Sequence, residues 1–159
     1  MNDYPEKQAL KTWTVGEVTF SILDCRGVHF CGYARFPEKP VKEDGYHGIL
    51  TYVPVHGGIT YAEQEDGGIV YGFDCGHAGD TERPELRDME WLGEECHKMA
   101  EAIKIAAEFE DSFLASEGNN EARAEVLSAY HEAVKERIGK EFNLQNNFGA
   151  MINLLGGRL

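Results

Sequence analysis

The polar and apolar positions change rhythm about halfway along the chain. Val18, Phe20 and Ile22 alternate with Thr19 and Ser21, the period-two pattern of a half-buried strand. The apolar runs Val28–Phe36, interrupted by Gly32, and Ile49–Val55, with Tyr52 and Val53, predict two more strands. Ile59–Ala62 and Ile69–Phe73 flank the polar stretch Gln64–Gly68. Its Asp66-Gly67-Gly68 supplies the positive φ angles that a tight hairpin turn needs. Between the second and third predicted strands, Pro37–Gly48 holds Pro37, Pro40 and Gly45 and reads as an exposed loop.

From residue 81 the spacing becomes three and four. Thr81, Glu82, Arg83 and Pro84 resemble a helix start, and either Asp80 or Thr81 could serve as its cap. Leu86, Met89, Leu92, Cys96, Met99, Ile103 and Ala106 or Ala107 then form one apolar stripe of a long helix ending near Ser112–Glu117. Gly118, Asn119 and Asn120 break it, with Asn120 as the next expected N-cap. A second helix turns Ala122, Val126, Tyr130, Ala133, Val134 and Ile138 inward, and Gly139 weakens its end. Asn143 would cap a short third helix carrying Leu144, Phe148, Met151, Ile152 and Leu155, with Gly156 just past its end. Residues 1–81 hold 12 of the 18 glycines and four of the five prolines, so the division is one of composition too.

Strands followed by helices predict an α+β fold: an antiparallel sheet of about five strands in residues 1–80, covered by two or three helices in 81–159. No Pro- or Ser-rich linker divides the halves, so the expectation is one domain over 1–159. A hydrophobic fraction of 42% excludes a disordered chain. The net charge of −13 argues against general binding to nucleic-acid backbone or to anionic membrane, because both need clustered Lys and Arg. With no apolar run of spanning length and no basic-then-apolar leader at Met1–Lys7, a soluble cytoplasmic protein is expected. Cys25, Cys31, Cys75 and Cys96 lack CxxC spacing and read as reduced, buried thiols. A mixed zinc site on Cys25, Cys31 and Cys75 is the alternative.

The densest functional side chains lie at the junction of the halves, in Val55-His56-Gly57-Gly58 and Gly72–Asp80. If the predicted hairpin forms, His56 precedes one strand and Asp74 follows the other, so His56 can approach Asp74 and His77. Asp74, His77 and Asp80 are spaced by three, and Gly76 and Gly79 permit sharp turns. Two chemistries fit. His56, Asp74, His77 and Asp80 could ligate a divalent cation (Mn²⁺, Zn²⁺ or Mg²⁺) that bridges an acidic protein to an anionic substrate. Alternatively His56 or His77 acts as general base, with Asp74 orienting its ring. The structural reading is that these groups only cap the helix and satisfy turn N–H groups. Arg35, Tyr46 and His47 are the expected substrate contacts, Arg26 is a further one, and Tyr33, Tyr46, Tyr52, Tyr61 and Tyr71 could line a pocket for a base. His97 and His131 show no partner in the sequence.

The run Gly45–Tyr61, with its His56-Gly57-Gly58-Ile59-Thr60, and the segment Phe73-Asp74-Cys75-Gly76-His77-Ala78-Gly79-Asp80 resemble a widespread group of small proteins encoded by bacteriophages and prophages. Leu86–Leu92 with Glu95-Cys96 resembles that group's entry into its long helix, and the likeness covers roughly residues 27–107. The resemblance implies a setting: a phage-type accessory protein, with counter-defence as its expected role, acting in the host cytoplasm on a small nucleotide. A phosphodiesterase-like hydrolase is the first expectation. A nucleotide-sequestering homo-oligomer and an acidic protein-interaction inhibitor are the others.

Overall fold

The computed structural model describes residues 7–25, 29–76, 80 and 83–139. Five strands, β1 (Lys7–Val15), β2 (Val18–Cys25), β3 (His29–Phe36), β4 (Tyr61–Glu65) and β5 (Gly68–Asp74), precede two helices, α1 (Met89–Ala115) and α2 (Asn120–Ile138). The strands form one antiparallel sheet in the order β1-β2-β3-β5-β4. The α+β architecture is therefore the one the sequence predicts.

Alternation gives the sheet two faces. Val18, Phe20, Ile22, Ala34, Phe36, Ile69, Tyr71 and Phe73 share one core with Leu92, Cys96, Met99 and Ile103 of α1. Each such aliphatic side chain contributes about 1.5–3 kcal/mol on burial. Gly32 leaves room for Phe73 and for Cys96 of α1: a Cβ there would stand 2.5 Å from Phe73 Cε1 and 2.7 Å from Cys96 Sγ. α2 adds Leu127, Tyr130, Val134 and Ile138 to this core, and Tyr130 Oη donates to the Ala102 carbonyl at 3.0 Å. On the opposite face Leu23, Cys25, Cys31, Tyr33 and Val70 form a second, smaller cluster with Tyr61 against it.

Four expectations need correction. Ile49–Val55 is not a strand. Residues Gly48–Tyr52 form a 3₁₀ turn whose buried Ile49 and Leu50 face the core. A short apolar run cannot distinguish the two by periodicity. β1 was not anticipated, because it is an edge strand whose residues 9–12 are all exposed, with a register shift between Ala9 and Lys11. The long helix begins at Met89 rather than near Thr81: Asp88 Oδ1 accepts from the Glu90 and Trp91 N–H groups, and Pro84 opens a separate 3₁₀ turn, Pro84–Arg87. The cap of α2 is Asn119, whose Oδ1 accepts from Ala122 N at 3.0 Å, rather than Asn120. The third helix predicted over 143–155 lies outside the described residues.

The segment between β3 and β4 is fastened to α1 at both ends by buried carboxylates. Glu110 Oε1 and Oε2 accept from the Lys42 and Glu43 N–H groups at 2.7 and 3.1 Å. Glu95 Oε2 accepts from His56 N at 2.9 Å.

Candidate functional site

Two glycines with positive φ, Gly57 at 70° and Gly58 at 80°, turn the chain sharply between the 3₁₀ turn and β4. That turn, closed by Gly58 N donating to the Val55 carbonyl at 2.8 Å, sets His56 against the first turns of α1. Its ring meets Trp91 edge-on, with centroids 5.9 Å apart. His56 Nε2 lies 3.1 Å from Asp80 Oδ2, and the two side chains are only 11% and 7% exposed. This is a shielded imidazole–carboxylate dyad. When Nε2–H donates to Asp80, Nδ1 carries the lone pair and is the basic nitrogen.

A second buried pair supports the dyad. Glu95 Oε1 sits 2.5 Å from Lys98 Nζ, one turn further along α1, with side-chain exposures of 8% and 1%. Burial pulls the Lys98 ammonium below its ordinary pKa, against the opposing pull of the Glu95 carboxylate. Glu95 thus holds the His56 backbone with one oxygen and neutralises Lys98 with the other. Cys75 is close by in charge terms. Burial, then the carboxylates of Asp80, Asp74 and Glu95, push its thiol up to about 12, so it stays protonated at neutral pH and is no nucleophile.

Asp74 occupies a different station from the one anticipated. Its Oδ2 accepts from Thr60 Oγ1 at 3.0 Å and its Oδ1 from Gly76 N at 2.9 Å. The β4–β5 ladder brings Thr60 there: Tyr61 pairs with Gly72, and Thr60 N donates to the Gly72 carbonyl at 2.8 Å, which sets the Thr60 hydroxyl within reach of Asp74 at the sheet end. The carboxylate on His56 is Asp80. His77, and Arg26 with it, lie outside the described residues.

The expected substrate contacts lie elsewhere. Arg35 spans the β4–β5 hairpin, donating from Nη2 to the Asp66 carbonyl and standing 3.7 Å from Glu65 Oε1. Tyr46 and His47 stack on each other, centroids 5.4 Å apart, in the loop before the 3₁₀ turn. The tyrosines do not share a pocket. Tyr71 packs edge-on against Phe36 in the main core, Tyr52 against Phe113, and Tyr33 against Tyr61 on the opposite sheet face. His97 accepts from Trp13 Nε1 at 2.8 Å.

The cysteines also divide by face. Cys75 and Cys96 are free and buried. Cys25 and Cys31 are joined as a disulfide across β2 and β3, which corrects the expectation of four reduced thiols. The zinc set Cys25–Cys31–Cys75 is not the grouping seen, because Cys75 belongs to the main core. Instead Cys25, His29 and Cys31 each bring one ligand atom within 4.8 Å of the others, a group able to hold a metal ion.

Sequence reasoning missed Glu95, Lys98 and His29. Glu95 and Lys98 interrupt the stripe Leu92, Cys96, Met99 one position early each time, and that placement was the available signal. Comparison with protein-family models, with curated proteins and with solved structures gave no match.

Proposed function

We propose that this chain is a hydrolase of a small phosphate-containing nucleotide, of the phage accessory type, in which His56 and Asp80 form the acid/base dyad. The observation that carries the reading is the 3.1 Å contact between His56 Nε2 and Asp80 Oδ2 in a site almost closed to solvent. In the reaction His56 takes a proton from water as its oxygen attacks phosphorus, and the imidazolium returns that proton to the ester oxygen that leaves as its P–O bond breaks. Asp80 holds the ring in one orientation and stabilises the imidazolium that forms. Glu95 acts on the backbone of His56 and so fixes where the ring stands. A net charge of −13 repels an anionic substrate, so a divalent cation is expected to accompany the nucleotide.

The test is turnover of a panel of cyclic and linear nucleotide phosphodiesters, with Mg²⁺, Mn²⁺ or Zn²⁺ in separate arms and products resolved by chromatography. His56→Ala and Asp80→Asn should each lower the rate by about 10²–10⁴-fold while the protein stays folded. Folded variants that retain the wild-type rate would remove the dyad from the chemistry. A nucleotide recovered unaltered from the protein would replace hydrolysis by sequestration.

A further inference from the structure

The small cluster on the sheet face opposite α1 contains chemistry that the dyad does not use. Cys25 pairs with His29 in the β2–β3 register, and Cys31 follows two residues later on the same face. Their two sulfurs and one imidazole nitrogen lie within 4.8 Å of one another, with both cysteines buried and His29 half-buried. Gly76 seats the imidazole: a Cβ there would stand 3.0 Å from His29 Cε1 and Nδ1. Asp74 is level with Cys31 in the β3–β5 register, but its oxygens are engaged by Thr60 and Gly76. Among the described residues, the group therefore offers three ligands.

We propose that Cys25, His29 and Cys31, once the disulfide is reduced, supply three ligands of a Zn²⁺ site. Two soft thiolates and an imidazole are the donor set that favours zinc over Mg²⁺ or Mn²⁺. Around a tetrahedral zinc, with Zn–S near 2.3 Å and Zn–N near 2.0 Å, such ligand atoms stand about 3.5–3.8 Å apart. The sulfur–imidazole pairs need close by little more than an ångström at most from the 4.8 Å limit they already satisfy, and the two sulfurs move apart once their bond is reduced. The chemistry balances. A dithiol reductant supplies two electrons and two protons to the Cys25–Cys31 bond and is itself oxidised. Zn²⁺ then displaces the two thiol protons to solvent as two Zn–S bonds and one Zn–N bond form. The disulfide and the metal are mutually exclusive, so the site is open only under reducing conditions. The inference does not depend on the His56–Asp80 dyad.

The test uses the full chain, reduced with a non-thiol phosphine or oxidised, and titrated with Zn²⁺ against a chromophoric chelator. One Zn²⁺ per reduced chain and none per oxidised chain is expected. Co²⁺ in its place should give the near-ultraviolet charge-transfer band of thiolate ligation, absent after Cys25→Ser/Cys31→Ser. His29 is half-buried, so His29→Ala tests the site without opening the core. It should weaken Zn²⁺ binding at least about tenfold, because even the loss of an outer-shell partner costs that much. Cys75→Ala/Cys96→Ala should leave stoichiometry unchanged. A reduced chain that binds no Zn²⁺, or a Cys25→Ser/Cys31→Ser variant that binds it as before, overturns the proposal.

Discussion

Glu95→Gln isolates the buried ion pair beneath the dyad. The substitution keeps size and keeps an acceptor for His56 N, but removes the charge that faces Lys98 Nζ at 2.5 Å. Both side chains are almost wholly enclosed, so the ammonium is left without compensation in a poorly solvated place. Breaking such a pair costs about 3–5 kcal/mol. At roughly 2–4 °C per kcal/mol for a chain of this size, the melting temperature should fall by about 6–20 °C. Glu101→Gln is the internal control. Glu101 makes the same i,i+3 contact with Lys104 at 3.0 Å, but with both side chains about half exposed, so its loss should be under about 1 kcal/mol. The pH dependence has a definite sign. Burial lowers the folded pKa of Lys98 below the unfolded value of 10.5, so the unfolded chain binds more protons and stability rises with pH through that window. The deficit of Glu95→Gln should therefore shrink as pH is raised, and Glu95→Gln/Lys98→Met should recover most of it. Calorimetry of the four proteins decides the matter. A Glu95→Gln loss no larger than that of Glu101→Gln would refute the reasoning.

Three further outcomes are expected. Gly32→Ala should destabilise by about 1–3 kcal/mol in chemical denaturation, since its Cβ would overlap the Phe73 ring and Cys96. Asp88→Ala removes the acceptor for Glu90 N and Trp91 N and should cost about 0.5–2 kcal/mol, read as a lower urea midpoint. Burial holds the His131 pKa below its ordinary 6.5, so the unfolded chain takes up the proton first and stability is lost as pH falls through that value. His131→Gln should flatten a melting profile over this range, and an unchanged slope would assign the acid sensitivity to other groups.

What the sequence disclosed followed from periodicity. β2 and both helices announce themselves because each buries one face, β5 is a short apolar run buried on both faces and bounded by a turn, and the Asp66-Gly67 turn is legible because Gly67 needs its φ of 70°. β1 was illegible because an edge strand has little to bury, as the exposed Leu10 and Val15 illustrate. The dyad was legible by halves. Local spacing placed His56 and Asp80 in the same junction, but the partner choice between Asp74 and Asp80 depends on register and on the turn at Gly57-Gly58. The Glu95–Lys98 pair was hidden for another reason: charged residues beside an apolar stripe read as solvated until the loop that covers them is known.

The carboxylates that hold residues 42, 43 and 56 are both on α1, 15 residues and about 22 Å apart along its axis. They are synthesised long after the loop they secure. On a growing polypeptide, Lys42 and Glu43 wait for residue 110, and the His56 backbone waits for residue 95. The position of His56 is thus fixed only after 39 further residues have been made. A nascent chain halted in the first turn of α1, before residue 95, would carry both His56 and Asp80 without the carboxylate that holds the His56 backbone.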